Sequence, residues 1–454
     1  MPSDLQEIDK KFLWHPYTQM HDYAERDLLI IDRADGLMLY DLDGRSYFDT
    51  ISSWWCILHG HNHPTIKMFM HRQLDRLDHV LLAGTSHEAA IRLAEKLIAI
   101  TPAGLTRVFY SDNGSTACEV ALKMSLQYWR HRGQPGRKRF IALERGYHGD
   151  TIGTMSLGGV PDFHKEFAEI LFSSFTVPSP YCYRCPMEQD QLSCQLECLQ
   201  PLAELLAREG AHIAAMIVEP LIQAAGGMRI YPARYLERLA GLVRHYGVHL
   251  IFDEVATGFG RTGRMFALEH AGVTPDFLCL SKALTAGMLP MAATITSEEI
   301  YQAFYGDYAE NRTFYHGHTF TGNPLAAAAA LGSLQVFAEE KPFERLPATI
   351  AHLHRKMARF GELPWVGEVR CLGMIAAIEL VKNKQTREEF TFAERVGWQI
   401  YLKGLEQGLI LRPLGNIVYL WLPISTTTAE IDEITERTWL VLADGGNIRG
   451  LPGR

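Results

Sequence analysis

The chain has 454 residues, of which 47% are hydrophobic and 21% charged, with a formal net charge of −8. That length supplies a sizeable core in two or three structural units, and the acidic balance gives no electrostatic case for nucleic acid or an anionic membrane. The opening MPSDLQEIDKKFLWHPYTQM lacks the apolar run of a signal peptide, and no apolar run reaches the ~18 residues of a membrane helix, so the expectation is a cytoplasmic chain whose eight cysteines are reduced.

Along the chain, His59, His61 and His63 in HGHNHP look like a metal tract but read as a turn feeding a helix after Pro64. Residues 107–111 (RVFYS) predict a strand. The DNGS turn follows, and residues 116–130 predict a helix whose apolar face holds Ala117, Val120, Ala121, Met124 and Leu126. Further strands are predicted at FIAL from Phe140, AAMIVE from Ala214, VHLIFDE from Val248, FLCLS from Phe277 and MAATIT from Met291. Helical patterns separate several of them, which predicts an α/β fold with a mostly parallel sheet flanked by helices. After about Glu339 a long helical pattern, GMIAAIEL, another helix and IVYLWLPI predict a smaller α+β unit. The final GGNIRGLPGR has little to bury and reads as a loose tail.

Several runs carry chemistry. In Asn113-Gly114-Ser115-Thr116, glycine permits close approach to an anion, the hydroxyls of Ser115 and Thr116 add donors, and the helix brings free amides. Alone this reads as a plain helix cap; beside the lysine and aspartate discussed next it reads as a phosphate cup. Tyr147, in GYHG after FIAL, stacks on a flat ring or packs on a turn. Cys182, Cys185, Cys194 and Cys198 carry C-x2-C and C-x3-C spacing, compatible with zinc or iron–sulfur ligation and with reduced thiols in a surface excursion. Asp253 ends an apolar strand, at the edge where open α/β sheets bind ligands. Lys282, in CLSKALTAG, also follows an apolar run. A half-buried lysine carries a desolvation cost that a Schiff base to a cofactor aldehyde removes, and a carboxylate such as Asp253 keeps a pyridine nitrogen protonated. Together they point to pyridoxal 5'-phosphate (PLP). Gly258, Gly260 and Gly263 imitate a dinucleotide loop, but the spacing is wrong and no ribose-binding acid follows.

DEVATGFGRTG and SKALTAG, with GYHGDT and HGHTFTGNP, resemble the class III (ω-) aminotransferases, PLP enzymes of fold type I, over nearly the whole chain. WHPYTQM, SSWWCILHGHNHP and LILRPLGNIVYLWLP resemble the branch of that class that aminates 8-amino-7-oxononanoate in biotin synthesis. The resemblance implies a large PLP-binding domain at 61–338, a small domain at 339–454 and an N-terminal arm at 1–60 that completes the small one. It implies that Lys282 bonds the cofactor and shuttles a proton, that Asp253 pairs with the ring nitrogen, that Gly114 and Ser115 hold the phosphate, and that Tyr147 stacks on the ring, with Glu219 and Gln223 lining it. Thr319 would reach the phosphate from the partner subunit of a homodimer, and Gly317 would touch substrate. Tyr17 and Trp54 would line the substrate cavity, Asp150 with Arg261 would help read the amino donor, and Arg412 would clamp the carboxylate of the keto-acid acceptor. The physics agrees with such an acceptor: Trp54, Trp55 and Tyr17 suit an apolar middle, and an arginine suits a carboxylate.

For the donor, Tyr17 in WHPYTQM resembles users of S-adenosylmethionine, whereas GHTFTGNP and GYHGDTIG resemble users of lysine. The expectation is S-adenosylmethionine, with lysine as the alternative. Two rivals stand beside this reading. One is another enzyme of the class, such as an ω-amino acid:pyruvate transaminase or a semialdehyde aminomutase, against which WHPYTQM and SSWW argue. The other is a metal-binding or regulatory protein on the same fold, against which Lys282 and Asp253 argue.

Overall fold

The computed structural model describes residues 2–185, 187–189 and 193–443; the predicted C-terminal tail lies outside the described residues. Near the N-terminus, β1 (Ile31–Asp35), β2 (Met38–Asp41) and β3 (Ser46–Phe48) form an antiparallel meander. There follow β4 (Leu105–Ser111), β5 (Arg139–Leu143), β6 (Phe175–Val177), β7 (Ile213–Val218), a short hairpin of β8 (Ile222–Gln223) and β9 (Arg229–Ile230), β10 (His249–Asp253), β11 (Phe277–Leu280) and β12 (Ala292–Ser297). Seven of these make one sheet in the order β4-β12-β11-β10-β7-β5-β6. All neighbouring pairs are parallel except those of β12, which runs against both β11 and β4. All six predicted strands of this sheet form. The three-residue β6 is too short to leave a periodic signal.

Strands β7, β10 and β11 are buried at every position, which is why they read as continuous apolar runs rather than alternating ones. The helix Gly114–His131 lies across the sheet with Ala117, Val120 and Ala121 fully enclosed. The alanine-rich helix Pro324–Glu340 packs on the helix Pro64–Leu74. Small side chains permit that approach: a Cβ on Gly332 would come within 2.9 Å of the Ile66 Cα. The three histidines of HGHNHP diverge to Ser333, Asp49 and Glu340 rather than to a common point.

The C-terminal part holds β13 (Val366–Leu372), β14 (Ile375–Leu380) and β15 (Ile417–Trp421) in an antiparallel sheet between helices. The N-terminal segment docks on it through backbone bonds. The Phe48 amide donates to the Gly408 carbonyl (2.8 Å), that of Ile410 to Phe48 (3.0 Å) and that of Trp421 to Thr50 (2.8 Å).

The parallel register sets up the chemistry. Because β7, β10 and β11 run the same way, their carboxyl ends open at one edge of the sheet. Glu219 follows β7, Asp253 ends β10, and Lys282 comes two residues beyond β11.

Candidate active site

A cavity of about 410 Å³ opens at that edge and is lined by Asp253, Lys282, Glu219, Tyr147 and His148, among others. Aspartate and lysine, 29 residues apart in sequence, therefore face one pocket. The Asp253 carboxylate is 5% exposed. It accepts from His148 Nδ1 (2.8 Å) and from the Val255 amide (3.1 Å). Lys282 sits on left-handed backbone (φ 42°) at the start of a 3-10 turn, a strain that surrounding structure must hold in place. Among the described residues its ammonium has no hydrogen bond or ion pair; it lies over the Trp55 ring at 4.7 Å. Burial lowers its pKa, against the opposing pull of Asp253 and Glu219. Glu219 ties two loops to the cavity wall by accepting from the amides of Tyr147 and Ala224, both at 3.0 Å.

Another part of the lining is a cup of backbone. Asn113 caps the helix Gly114–His131 by accepting from the Thr116 amide (3.0 Å), and Thr116 Oγ1 accepts from the Asn113 amide in return (3.2 Å). The Thr116 hydroxyl is committed to that cap, so of the two hydroxyls in this run only that of Ser115 belongs to the cavity lining. Glycines make the cup possible: a Cβ on Gly114 would meet Val255 at 2.5 Å, and one on Gly149 (φ 128°) would meet Ser115 Oγ at 1.9 Å. The arrangement suits a flat, phosphorylated aldehyde. A buried amine without a hydrogen bond would supply the group that bonds a carbonyl, a buried carboxylate would supply the counter-charge of a ring nitrogen, and helix amides would hold a phosphate.

At the mouth, Tyr17 Oη donates to Asp150 (2.7 Å) and lies 3.3 Å from Tyr147 Oη, which itself donates to Asp150 (3.0 Å). Burial, and then Asp150, push the Tyr17 hydroxyl up to about 12, so it stays a donor. Burial opposes charge on Asp150, but the nearby His164 imidazole (3.8 Å) and hydrogen bonds from Tyr17 and Tyr147 outweigh it and keep the carboxyl below its usual range. Trp54 meets Tyr17 edge-on at 5.5 Å, and the Arg412 guanidinium lies 3.9 Å above the Trp54 ring.

Residues 52–55 (SSWW) shape this mouth. All four take left-handed φ angles, at 52°, 44°, 70° and 74°. Left-handed turns cost about 1–2 kcal/mol per L-residue, so something must hold this one. Asp49 accepts from the amide and hydroxyl of Ser53 (2.8 and 2.7 Å). Ser52 Oγ donates to the Trp421 carbonyl (2.6 Å). Arg261 completes the brace, donating to Ser52 Oγ, Leu422 O, Trp55 O and Ile57 O at 2.6–3.3 Å. The turn sends Trp54 outward beside Tyr17 and Trp55 inward beneath Lys282.

The family model for class-III aminotransferases matches residues 20–442. The chain belongs to this family. A protein of Geobacter sulfurreducens named adenosylmethionine-8-amino-7-oxononanoate aminotransferase is 44% identical over 433 residues, covering 95% of this chain and 96% of its own. The crystal structure of a protein with the same name from Methanocaldococcus jannaschii superposes with a TM-score of 0.93 at 40% identity, over 98% of this chain and 99% of the other. An ω-transaminase from Pseudomonas jessenii, solved in complex with PMP, gives 0.92 at 31% identity over 97% and 98%. The fold of this class-III aminotransferase is therefore the PLP fold type I, and no helix among its described residues is long and apolar enough to cross a membrane.

Against the sequence expectations, Lys282, Asp253, Gly114, Ser115, Tyr147 and Glu219 line the one cavity, and Tyr17, Trp54, Asp150 and Arg412 gather at its mouth. Three expectations need correction or qualification. Arg261 is fully buried and donates to the carbonyls of Leu422 and Ile57, so it braces the site, while its Nε has no partner among the described residues. Gln223 turns its amide nitrogen to the Glu144 carbonyl (2.9 Å) and is not part of the cavity lining. Gly317 and Thr319 lie on an exposed stretch outside this chain's own cavity. Sequence reasoning missed His148 beneath Asp253; its place beside Tyr147 in GYHG was the available signal.

Proposed function

We propose that this class-III aminotransferase binds PLP and converts 8-amino-7-oxononanoate to 7,8-diaminononanoate in biotin synthesis, taking the amino group from S-adenosylmethionine. The observation that carries the substrate is the mouth of the cavity. A cation, Arg412, lies against the Trp54 indole and beside the Tyr17–Asp150–Tyr147 network, suited to the carboxylate and apolar chain of a long keto acid. The names of the Geobacter and Methanocaldococcus relatives point to the same acceptor and donor.

When bound, the cofactor supplies an aldehyde for the amine and a ring that draws electrons from the carbon losing its proton. Asp253, oriented by His148, would pair with the ring nitrogen and keep it protonated. Gly114, Ser115 and the helix amides would hold the phosphate, and Tyr147 would stack on the ring. Lys282 Nζ, its basicity reduced by burial, takes the proton from the substrate carbon and returns it on the other side of the transfer. Donor and keto acid use the cavity in turn, a ping-pong order. Arg412 orients the acceptor by its far end, and Tyr17 with Asp150 meets the donor. We read residues 61–338 as the cofactor domain, and 1–60 with 339–454 as the second unit. The enzyme works as a cytoplasmic homodimer in which Thr319 and Gly317 complete the partner's site.

A half-reaction tests this. PLP-loaded protein is mixed with S-adenosylmethionine or with lysine and its visible absorption followed. Bleaching by S-adenosylmethionine alone is expected. Bleaching by lysine alone replaces the donor, and failure of 8-amino-7-oxononanoate to restore the band removes the acceptor.

A further inference from the structure

Asp150 is exposed and lies in the irregular segment between β5 and the four-residue helical turn Ile152–Met155. No ladder of regular hydrogen bonds aims it, so its neighbours must. Its own amide donates to Ser115 Oγ (3.3 Å), and Gly149 before it is pressed so close to Ser115 that a Cβ there would collide. Upstream, the Tyr147 amide donates to Glu219 (3.0 Å). Downstream, the segment is held by a residue with no part in the chemistry.

That residue is Glu119, half-buried on the helix Gly114–His131. Positions i and i+4 of a helix are neighbours on one face, so Glu119 stands one turn beyond Ser115 on the same side. Its Oε1 accepts three hydrogen bonds: from the Thr151 hydroxyl (2.6 Å), the Gly153 amide (2.7 Å) and the Thr154 amide (3.3 Å). The two amides belong to the first turn of Ile152–Met155, where N–H groups have no partner within the helix. Thr151 occupies the cap position, but its side chain makes no cap bond and turns to Glu119 instead. A carboxylate on another helix thus takes the place of the missing cap. Gly153 permits the approach, since a Cβ on it would collide with the Glu119 carboxylate.

Ser115 and Glu119 together lay residues 149–154 along the first turns of the long helix. Asp150 lies between these two grips, and its carboxylate accepts from Tyr17 (2.7 Å) and Tyr147 (3.0 Å) at the mouth. Glu119 itself is not part of the cavity lining. Its influence on the mouth passes through the backbone of residues 151–154.

We propose that Glu119 is a positioning residue for recognition of the amino donor: by gathering the hydrogen bonds of residues 151–154 on one oxygen, it fixes the aim of Asp150. The inference rests on the reading in which Asp150 meets the amino donor. All three bonds end on the same oxygen, so the requirement is an acceptor at that point rather than a charge. The amide of a glutamine supplies such an acceptor, and a leucine of similar size supplies none.

The PLP-loaded full-length protein is mixed with S-adenosylmethionine and, separately, with lysine, and loss of the cofactor band is followed with the amine that bleaches wild type. Return of the band with 8-amino-7-oxononanoate reports the acceptor half. Glu119→Leu should raise the amine concentration for half-maximal bleaching on the order of 10–100-fold, with the limiting rate and the acceptor half changed by no more than about twofold. Glu119→Gln should restore wild-type behaviour, which a general loss of packing would not predict. Thr151→Val removes one of the three hydrogen bonds and should show the same selectivity with a smaller rise, so the outcome does not depend on Glu119→Leu folding. An unchanged amine constant in these two variants, equal losses in both halves, or Glu119→Gln failing as Glu119→Leu does overturns the inference. Asp150→Ala separates the two readings. Loss of amine recognition there without any in Glu119→Leu removes the inference alone. No loss in Asp150→Ala, or a wild type that neither amine bleaches, removes the donor reading and the inference with it.

Discussion

Asp253 and Glu219, at the floor of the cavity, are 5% and 7% exposed, sit at strand ends and take their positions from parallel register. Tyr17 and Trp54, at the mouth, are 45% and 38% exposed and stand on left-handed backbone. The floor is what every member of this reaction class needs, and it is built from the most constrained backbone available. In the proposed function the mouth selects the substrate, and it is built from irregular segments outside the sheet. Chemistry and selectivity are thus carried by separate parts of the architecture.

Breaking the floor should have the largest effect. Lys282→Ala removes the amine proposed to bond the cofactor and move the proton; no turnover and no lysine-bound cofactor band are expected in absorbance. Next comes the brace between the two regions. Arg261→Met leaves the carbonyls of Leu422, Trp55 and Ile57 without their donor, and a loss of at least ~3 kcal/mol in denaturant unfolding is expected. An unchanged midpoint would mean that the left-handed turn holds itself. Breaking the mouth should be milder and selective. Arg412→Ala should raise KM for a keto acid bearing a distal carboxylate by ~10–100-fold, from the ~1.5–3 kcal/mol of a charged hydrogen bond, while the donor half-reaction keeps its rate. Equal losses in both halves would dissolve the distinction.

The smallest effect concerns pH. Burial, with Asp253 adding to it against His148, lifts Glu219 from near 4.5 to about 7. The folded state therefore holds this proton more tightly than the unfolded chain does. Its contribution to stability is full below about pH 4.5 and falls away as pH rises through about 7. Glu219→Gln should flatten the dependence of Tm on pH across that window; an unaltered slope would place the burden on another group.

The floor was also the legible part. Continuous apolar runs ending in Asp253 and leading into Lys282 announce buried parallel strands, and glycine before a helix announces the cup. The mouth was legible only as residue types. Nothing in SSWW reveals four left-handed residues, because the turn is imposed by Asp49, Arg261 and the carbonyls of Trp421 and Leu422 rather than by local preference. For the same reason Arg261 was read as a donor-facing cation: its burial depends on acceptors as far as 209 residues upstream and 161 downstream. The N-terminal meander escaped notice because its strands are three to five residues long and mostly exposed on β1.

The docking of the first sixty residues on the last sheet has a consequence for how the polypeptide is made. Ser52 waits for Trp421, a partner 369 residues later, which at roughly 5–20 residues per second is ~20–75 s of translation. The central sheet can close while that wait continues. The turn that carries Trp54 and Trp55 is therefore braced last: in a nascent chain stalled before residue 421, Ser52 and Arg261 still lack the Trp421 and Leu422 carbonyls.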